Sequence, residues 1–339
     1  MKNLGGPALW ELPDLSGAYA PILTPFTPDR ESIDIDSFHS HLTFLEQSGL
    51  DGVLLLGTNG EFDQLTVKER LLLVDAALSV SSRLKMVVGG TIPDSVPGTF
   101  DLVSKLSGYA PQISAVLVSP PFYSKSARGP SIPIPRIVEF YRDLARVQDR
   151  LPLMLYNVPL PAKGMITTAP ITTEVVASLR DESIIVGIKD SSARLENIEA
   201  YLDAKPDIQV LVGSDFIIGP GLNRGATGSI TACGNIFPQA VLAVYKARTK
   251  QGQLDAQSEL NLLRELLNTF PAKRVAIQKN LLAYLGIVSN GSPVRDQNRD
   301  LTGLEKEKII NKLLELTDGL SINQAVRQTI ITQRSTFHN

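Results

Sequence analysis

Eight short apolar runs recur along the chain with little polar alternation: AYAPILT (18–24), GVLLLG (52–57), KMVVGG (85–90), SAVLVS (114–119), LPLMLYN (151–157), SIIVGIK (183–189), IQVLVGS (208–214) and ATGSITA (226–232). Runs rich in Val, Ile and Leu without alternation are typical of strands covered on both faces of a parallel sheet. Between them lie segments of helical period, IDIDSFHSHLTFLEQSG, LTVKERLLLVDAALSV, IPRIVEFYRDLARVQD and ITTEVVASLRDES. Thr66 with Glu69 three residues on reads as a capping box at the start of one of them. Strand and helix therefore alternate, which predicts an α/β fold, a TIM-type (β/α)8 barrel, in preference to a doubly wound sheet. The Pro-rich GPSIPIPR (129–136) reads as the loop before the helix that leads into the fifth strand.

After about residue 235 the strands stop. PQAVLAVYKART, LDAQSELNLLRELLNTF, RVAIQKNLLAYLGI and LTGLEKEKIINKLLELTDGL are helical patterns. We expect an N-terminal extension (1–16), a catalytic barrel (17–250) and a C-terminal helical region packed on it (251–339).

Composition narrows the function classes. The 339 residues carry a formal charge of −2, and their Lys and Arg are scattered, so nucleic acid and anionic membranes are poor partners. No apolar stretch approaches the roughly 18 residues needed to span a bilayer. The first residues lack both a signal core and a basic presequence, which makes the cytoplasm the expected compartment. The single Cys233 excludes an intrachain disulfide framework. The three histidines leave little for a metal site; His39 and His41, two apart on one helix, read as surface or packing residues.

In a TIM barrel the reacting groups gather at the C-terminal ends of the strands. Here those ends carry GTNGE (57–61), SPPFYSK (119–125), YNVP (156–159), KDSS (189–192), GSD (213–215) and CGN (233–235). Lys189 at the end of the sixth run either snorkels to solvent beside a carboxylate or points into the barrel mouth between strands carrying Tyr156 and Gly213. A lysine desolvated in such a mouth keeps a fraction of free amine, the form that attacks a ketone and yields a Schiff base. Tyr156 on the adjacent strand is a candidate acid and base, or an aromatic on the rim. In GTNGE, backbone N–H groups with the Thr58 and Asn59 side chains suit a carboxylate, although a tight turn alone would use the same residues. The glycine-rich GPGLNRGATG (219–228) lacks the spacing of a phosphate loop and reads as a turn leading to the last strand.

GTNGE, then Leu65, Thr66, Glu69 and Arg70 of the LT-x-x-ER pattern, then YNVP and GIKDS, in that order, resemble the dihydrodipicolinate synthase and N-acetylneuraminate lyase family of class I, pyruvate-handling barrels, over roughly residues 17–290. The resemblance implies that Lys189 forms the imine, that Tyr156 transfers protons and that no separate cofactor is needed. It implies that Thr58 binds the substrate carboxylate and relays protons. Tyr123 would be the relay tyrosine offered to a neighbouring subunit, in a homo-oligomer built as a dimer of dimers. Gly213 and Ile230 would line the pocket around the imine. Ser191 would meet the distal part of the substrate or, alternatively, cap a helix.

Two departures bear on the substrate. Asn59 stands where the lysine-biosynthetic synthases carry threonine, and Pro161 stands where they place an arginine for the second substrate's carboxylate. Lys163 does not reproduce a bidentate arginine contact. The pattern is closer to that of 4-hydroxy-2-oxoglutarate and 2-keto-3-deoxy sugar acid aldolases, which cleave a 2-keto acid to pyruvate and an aldehyde. Condensation of pyruvate with aspartate semialdehyde is the alternative activity. A non-catalytic sugar-acid-binding barrel is the alternative from another class.

Overall fold

The computed structural model describes residues 12–120, 132–148, 150–158, 170–289 and 293–318. Eight parallel strands close into a barrel in chain order: β1 (Gly17–Ala20), β2 (Gly52–Leu55), β3 (Lys85–Gly89), β4 (Ala115–Val118), β5 (Leu153–Asn157), β6 (Ile185–Asp190), β7 (Gln209–Val212) and β8 (Gly228–Ile230). Each falls within or at the edge of one of the eight apolar runs, and β1 closes the barrel by pairing with β8.

The absence of polar alternation has a direct cause. Leu54, Val87, Ala115, Leu117, Met154 and Leu211 point into the barrel, whereas their neighbours Val53, Leu55, Met86, Val88, Val116, Leu153, Leu155 and Val210 face the surrounding helices. Both faces are therefore dry, and neither selects polar residues. Leu15, just before β1, joins the inner layer from below, so the segment entering the barrel also closes its N-terminal end. Gln209 fixes that segment, accepting a hydrogen bond from the Leu15 N–H and donating one to the Pro13 carbonyl (both 2.8 Å).

Helices α1 (Ile35–Gln47), α2 (Val67–Val80), α3 (Val96–Leu106), α4 (Ile134–Val147), α5 (Thr173–Ser178), α6 (Leu195–Ala204), α7 (Ile218–Leu222) and α8 (Pro238–Lys246) follow the strands in turn. The capping box at α2 is present in full: Thr66 accepts from the Glu69 N–H while the Glu69 carboxylate accepts from the Thr66 N–H. Three of these helices, α3, α6 and the short α7, fall outside the segments of helical period. In α3 Pro97 and Gly98 occupy the first turn, where proline lacks nothing and Ser95 caps the Gly98 N–H, so two nominal breakers sit where they are tolerated. The helix in ITTEVVASLRDES is shorter than its pattern, six residues capped by Thr172. Within GPGLNRGATG the chain forms the five-residue α7 and then turns through Gly225 at φ +97°.

Among the described residues three more helices, α9 (Lys250–Leu267), α10 (Arg274–Tyr284) and α11 (Gly303–Asp318), follow α8. Leu260, Leu263, Leu266 and Leu267 of α9 are buried, as are Ile277, Leu281 and Leu282 of α10, so this region shares the core of the barrel's outer layer. His41 is buried in α1, its Nε2 3.2 Å from the Asn235 carbonyl, and reads as a packing residue; desolvation holds its pKa down at about 4.

Candidate active site

Strand β6 runs one residue further than its apolar pattern, through Lys189 to Asp190. The pairing with β5 slips by one residue between Leu153↔Ile185 and Met154↔Gly187. Val186 is thus an inserted residue, a β-bulge that resets the inward and outward phase. Ile185 and Ile188 lie in the outer layer and Val186 in the inner one, and a Cβ built on Gly187 would meet Leu15 and Met154 of the barrel interior. Lys189, two residues beyond Gly187, consequently points inward, and Asp190 outward.

Lys189 and Tyr156 are register partners on adjacent strands. The ammonium nitrogen sits 4.6 Å from the centre of the Tyr156 ring, and Lys189 is 5 % exposed. Among the described residues no carboxylate forms an ion pair with it. Burial acts to raise the Tyr156 pKa, but the positive charge of Lys189 and the side-chain hydrogen bonds of Ser191, Thr58 and Lys189 outweigh it, and the phenol lies below its ordinary value. A phenol tuned downward beside an amine is suited to accepting and returning a proton.

Thr58 opens a one-turn 3₁₀ helix (Thr58–Gly60) after β2 and is exposed at the mouth, with Asn59 partly exposed beside it. Two non-glycine residues flank this turn in the left-handed region, Leu56 at φ 55° and Glu61 at φ 53°. Each costs about 1–2 kcal/mol, so the turn is held by its surroundings. Leu56 turns its carbonyl toward Gly89, where a Cβ would lie 2.3 Å from that oxygen, and Thr24 donates to the Gly60 carbonyl at 2.8 Å.

Ser191 is partly exposed at the mouth and does not cap α6, whose cap position is Arg194 with no side-chain bond. Gly213 gives it room: a Cβ there would lie 2.1 Å from the Ser191 hydroxyl. The Gly213 N–H donates to the Asp190 carbonyl at 2.7 Å, joining the ends of β6 and β7. Ile230 lies deeper, in the apolar inner layer beneath the mouth. Tyr123, Pro161 and Lys163 lie outside the described residues.

The other polar groups in these motifs build the frame. Asp190 accepts from Asn157 (2.8 Å), the Ser192 N–H (3.0 Å), the Ser192 hydroxyl (2.8 Å) and Asn197 (3.1 Å). Asn157 in turn accepts from the Ile171 N–H at 3.1 Å. Hydrogen bonds to a buried charged group contribute about 1.5–3 kcal/mol each, so this network locks the strand ends that carry Lys189 and Tyr156. Asp215 pairs with Arg264 at 3.1 Å and Asn235 bonds Pro21 and Gln278, and both are buried. Arg70 of α2 donates to the carbonyls of Leu65, Thr91 and Phe62 and so pins the loop that carries Thr58. In the sequence Asn157, Asp190 and Arg70 carry no signal beyond their place in the motifs. Their buried setting is what distinguishes positioning from contact with substrate.

No three His, Cys, Asp or Glu side chains gather as a metal site among the described residues, and no described helix is long and apolar enough to cross a membrane.

The dihydrodipicolinate synthetase family profile matches residues 14–313. An uncharacterized DapA-like lyase of Chloroflexus aurantiacus is 32% identical over 271 residues, covering 77% of this chain and 85% of its own. The crystal structure of YagE, a prophage protein of the dihydrodipicolinic acid synthase family from E. coli K12 in complex with pyruvate, superposes with a TM-score of 0.76 at 25% identity, covering 89% of this chain and 98% of that one. The sialic acid aldolase of Ruminococcus gnavus, solved as its catalytic lysine mutant, has the same fold, with a TM-score of 0.76 at 16% identity, over 95% of this chain and 97% of that one. With a barrel of this topology and a profile match across nearly its whole length, the chain belongs to the dihydrodipicolinate synthetase family and is a class I aldolase-type lyase of it.

Proposed function

We propose that the protein is a Schiff-base aldolase that cleaves or forms a C–C bond of a 2-keto acid, with pyruvate as the common half and no separate cofactor. The observation that carries this reading is Lys189, inward-pointing, buried and without a carboxylate partner among the described residues, in register with a tuned Tyr156. The pyruvate held by the structurally similar YagE supports it.

In the cleavage direction the Lys189 amine attacks the keto carbon and water leaves, forming a protonated imine. Tyr156 accepts the proton of the C4 hydroxyl, the C3–C4 bond breaks, and its electrons pass into the imine to give an enamine. The aldehyde departs. Protonation of the enamine at C3 and hydrolysis return pyruvate and the free lysine. Thr58 and Asn59, at the rim of β2, hold the substrate carboxylate with their backbone N–H groups, and Thr58 relays protons to Tyr156. Ser191 meets the distal part of the substrate. Tyr123 completes the relay from a neighbouring subunit, making the working unit an oligomer.

The substrate class we assign is 4-hydroxy-2-oxoglutarate or a 2-keto-3-deoxy sugar acid. Pro161 in place of the carboxylate-holding arginine supports this over aspartate semialdehyde. The test is pyruvate release from each keto acid, measured against pyruvate consumption with aspartate semialdehyde. Saturable cleavage of a keto acid is expected. Turnover with aspartate semialdehyde alone would overturn the substrate assignment, and turnover with none would favour a binding barrel.

A further inference from the structure

The turn that carries Thr58 ends at Glu61, a carboxylate only 5 % exposed in a left-handed backbone conformation. Both of its oxygens are taken by the region after the barrel. Lys279 of α10 pairs with Oε1 at 2.5 Å, and the Arg295 backbone N–H donates to Oε2 at 2.9 Å. Lys279 also donates to the Pro293 carbonyl at 2.7 Å, so one buried ammonium ties α10, the following segment and the active-site turn together.

The Arg295 side chain extends the same grip. It donates to the carbonyls of Gln64 (3.0 Å), Arg30 (3.2 Å) and Glu31 (3.1 Å) and to the Glu69 carboxylate (2.7 Å). The Phe26 ring lies 4.4 Å from the Lys279 ammonium and 4.3 Å from the Arg295 guanidinium, so both cations are backed by an aromatic face. Arg30 answers in the other direction, bonding Asp300 at 2.6 Å and the Val294 carbonyl at 3.0 Å. Residues 293–300 thus form a strap across the loops that follow β1 and β2.

A buried ion pair with this many satisfied hydrogen bonds is costly to desolvate and is weak evidence of stabilisation as such. What it fixes is geometry. The left-handed strain at Leu56 and Glu61 pushes the turn to relax, and the carboxylate is the handle that prevents it.

We propose that Lys279 and Arg295 are positioning residues for proton transfer: by holding Glu61 they keep the Thr58 hydroxyl at Tyr156. The inference rests on the Schiff-base reading above, with Lys189 as the imine former. It assigns to the helical region after the barrel a part in the chemistry, although it places no side chain in contact with substrate.

Pyruvate alone supplies the test. Its methyl protons exchange with D2O only when the imine converts to the enamine, whereas borohydride trapping reads imine formation without that step. For Lys279→Met and Glu61→Gln we expect exchange to fall tenfold or more while the trapped Lys189 adduct at saturating pyruvate stays within twofold of the unaltered protein. The double variant Glu61→Gln/Lys279→Met leaves no buried unpaired charge and decides the matter should a single variant fail to fold. Exchange unchanged in a folded variant, or exchange and adduct falling in proportion, would overturn the proposal. Absence of any adduct in the unaltered protein would instead overturn the reading on which it rests.

Discussion

Two buried lysines sit some ninety residues apart in sequence and behave as opposites. Lys279, in the seam between barrel and C-terminal helices, meets the Glu61 carboxylate and the Pro293 carbonyl. Lys189, in the barrel mouth, meets a phenol, and no carboxylate pairs with it among the described residues. Desolvation brings Lys279 down to about 8 in spite of Glu61, which shows how strongly this interior resists an ammonium. Paired, a buried lysine organises backbone. Beside a phenol and with no carboxylate partner among the described residues, it is available to react.

The sharpest way to break this contrast is Lys189→Ala. Keto-acid cleavage and pyruvate proton exchange should fall by at least about 10⁴-fold, because no described neighbour offers a second amine at the imine position. Tyr156→Phe should keep imine formation and lose about 10²–10⁴-fold in proton exchange, the usual share of a positioned acid and base. Exchange equal to that of the unaltered protein would assign the proton transfer to another group.

Methionine at the two lysine positions should act with opposite signs on stability. Lys279→Met strands Glu61 and should cost about 3 kcal/mol in denaturant unfolding, whereas Lys189→Met removes a buried cation that has no carboxylate partner among the described residues and should be neutral or stabilising by about 1 kcal/mol. Equal losses in both would show that Lys189 has a structural partner.

His41 extends the rule to another buried base. Its pKa in the fold, about 4, lies below the free value of 6.5, so the unfolded chain binds the proton first. The stability contribution is therefore full above 6.5 and disappears as the pH falls through 4, a loss of about 3 kcal/mol across that interval. Unfolding free energies of His41→Gln should lack that part of the acid slope. The smallest effect concerns Gly213→Ala, where the new methyl would displace the Ser191 hydroxyl and crowd the Asp190 carbonyl at 3.0 Å; about tenfold less turnover with a slightly lowered melting transition is expected, checked by steady-state kinetics and calorimetry.

The same contrast explains what was legible in the sequence. Strand positions were clear because two dry faces impose uninterrupted apolar runs, and the strand-end rule then pointed to Lys189, Tyr156 and the Thr58 turn. Helix α3 was hidden because Pro97 and Gly98 look like breakers unless the Ser95 cap places them in a first turn. The bulge at Val186 left no trace, since Ile185 through Ile188 read as one apolar run, yet it aims Lys189 inward. The reason for Gly213 appeared only with the Ser191 hydroxyl in place. The Glu61 grip was out of reach because its partners, Lys279 and Arg295, come from a distant helix and strap that no local period connects to the GTNGE run.

Imine formation at Lys189 is tested most directly by the intact mass of the protein after borohydride reduction with pyruvate, followed by peptide mapping, in the unaltered chain and in Lys189→Ala. A pyruvate-sized gain located on Lys189 and absent from the variant is expected. A folded, unaltered protein that gains no mass, or one whose adduct maps to Lys279 or any other lysine, would contradict imine formation at Lys189.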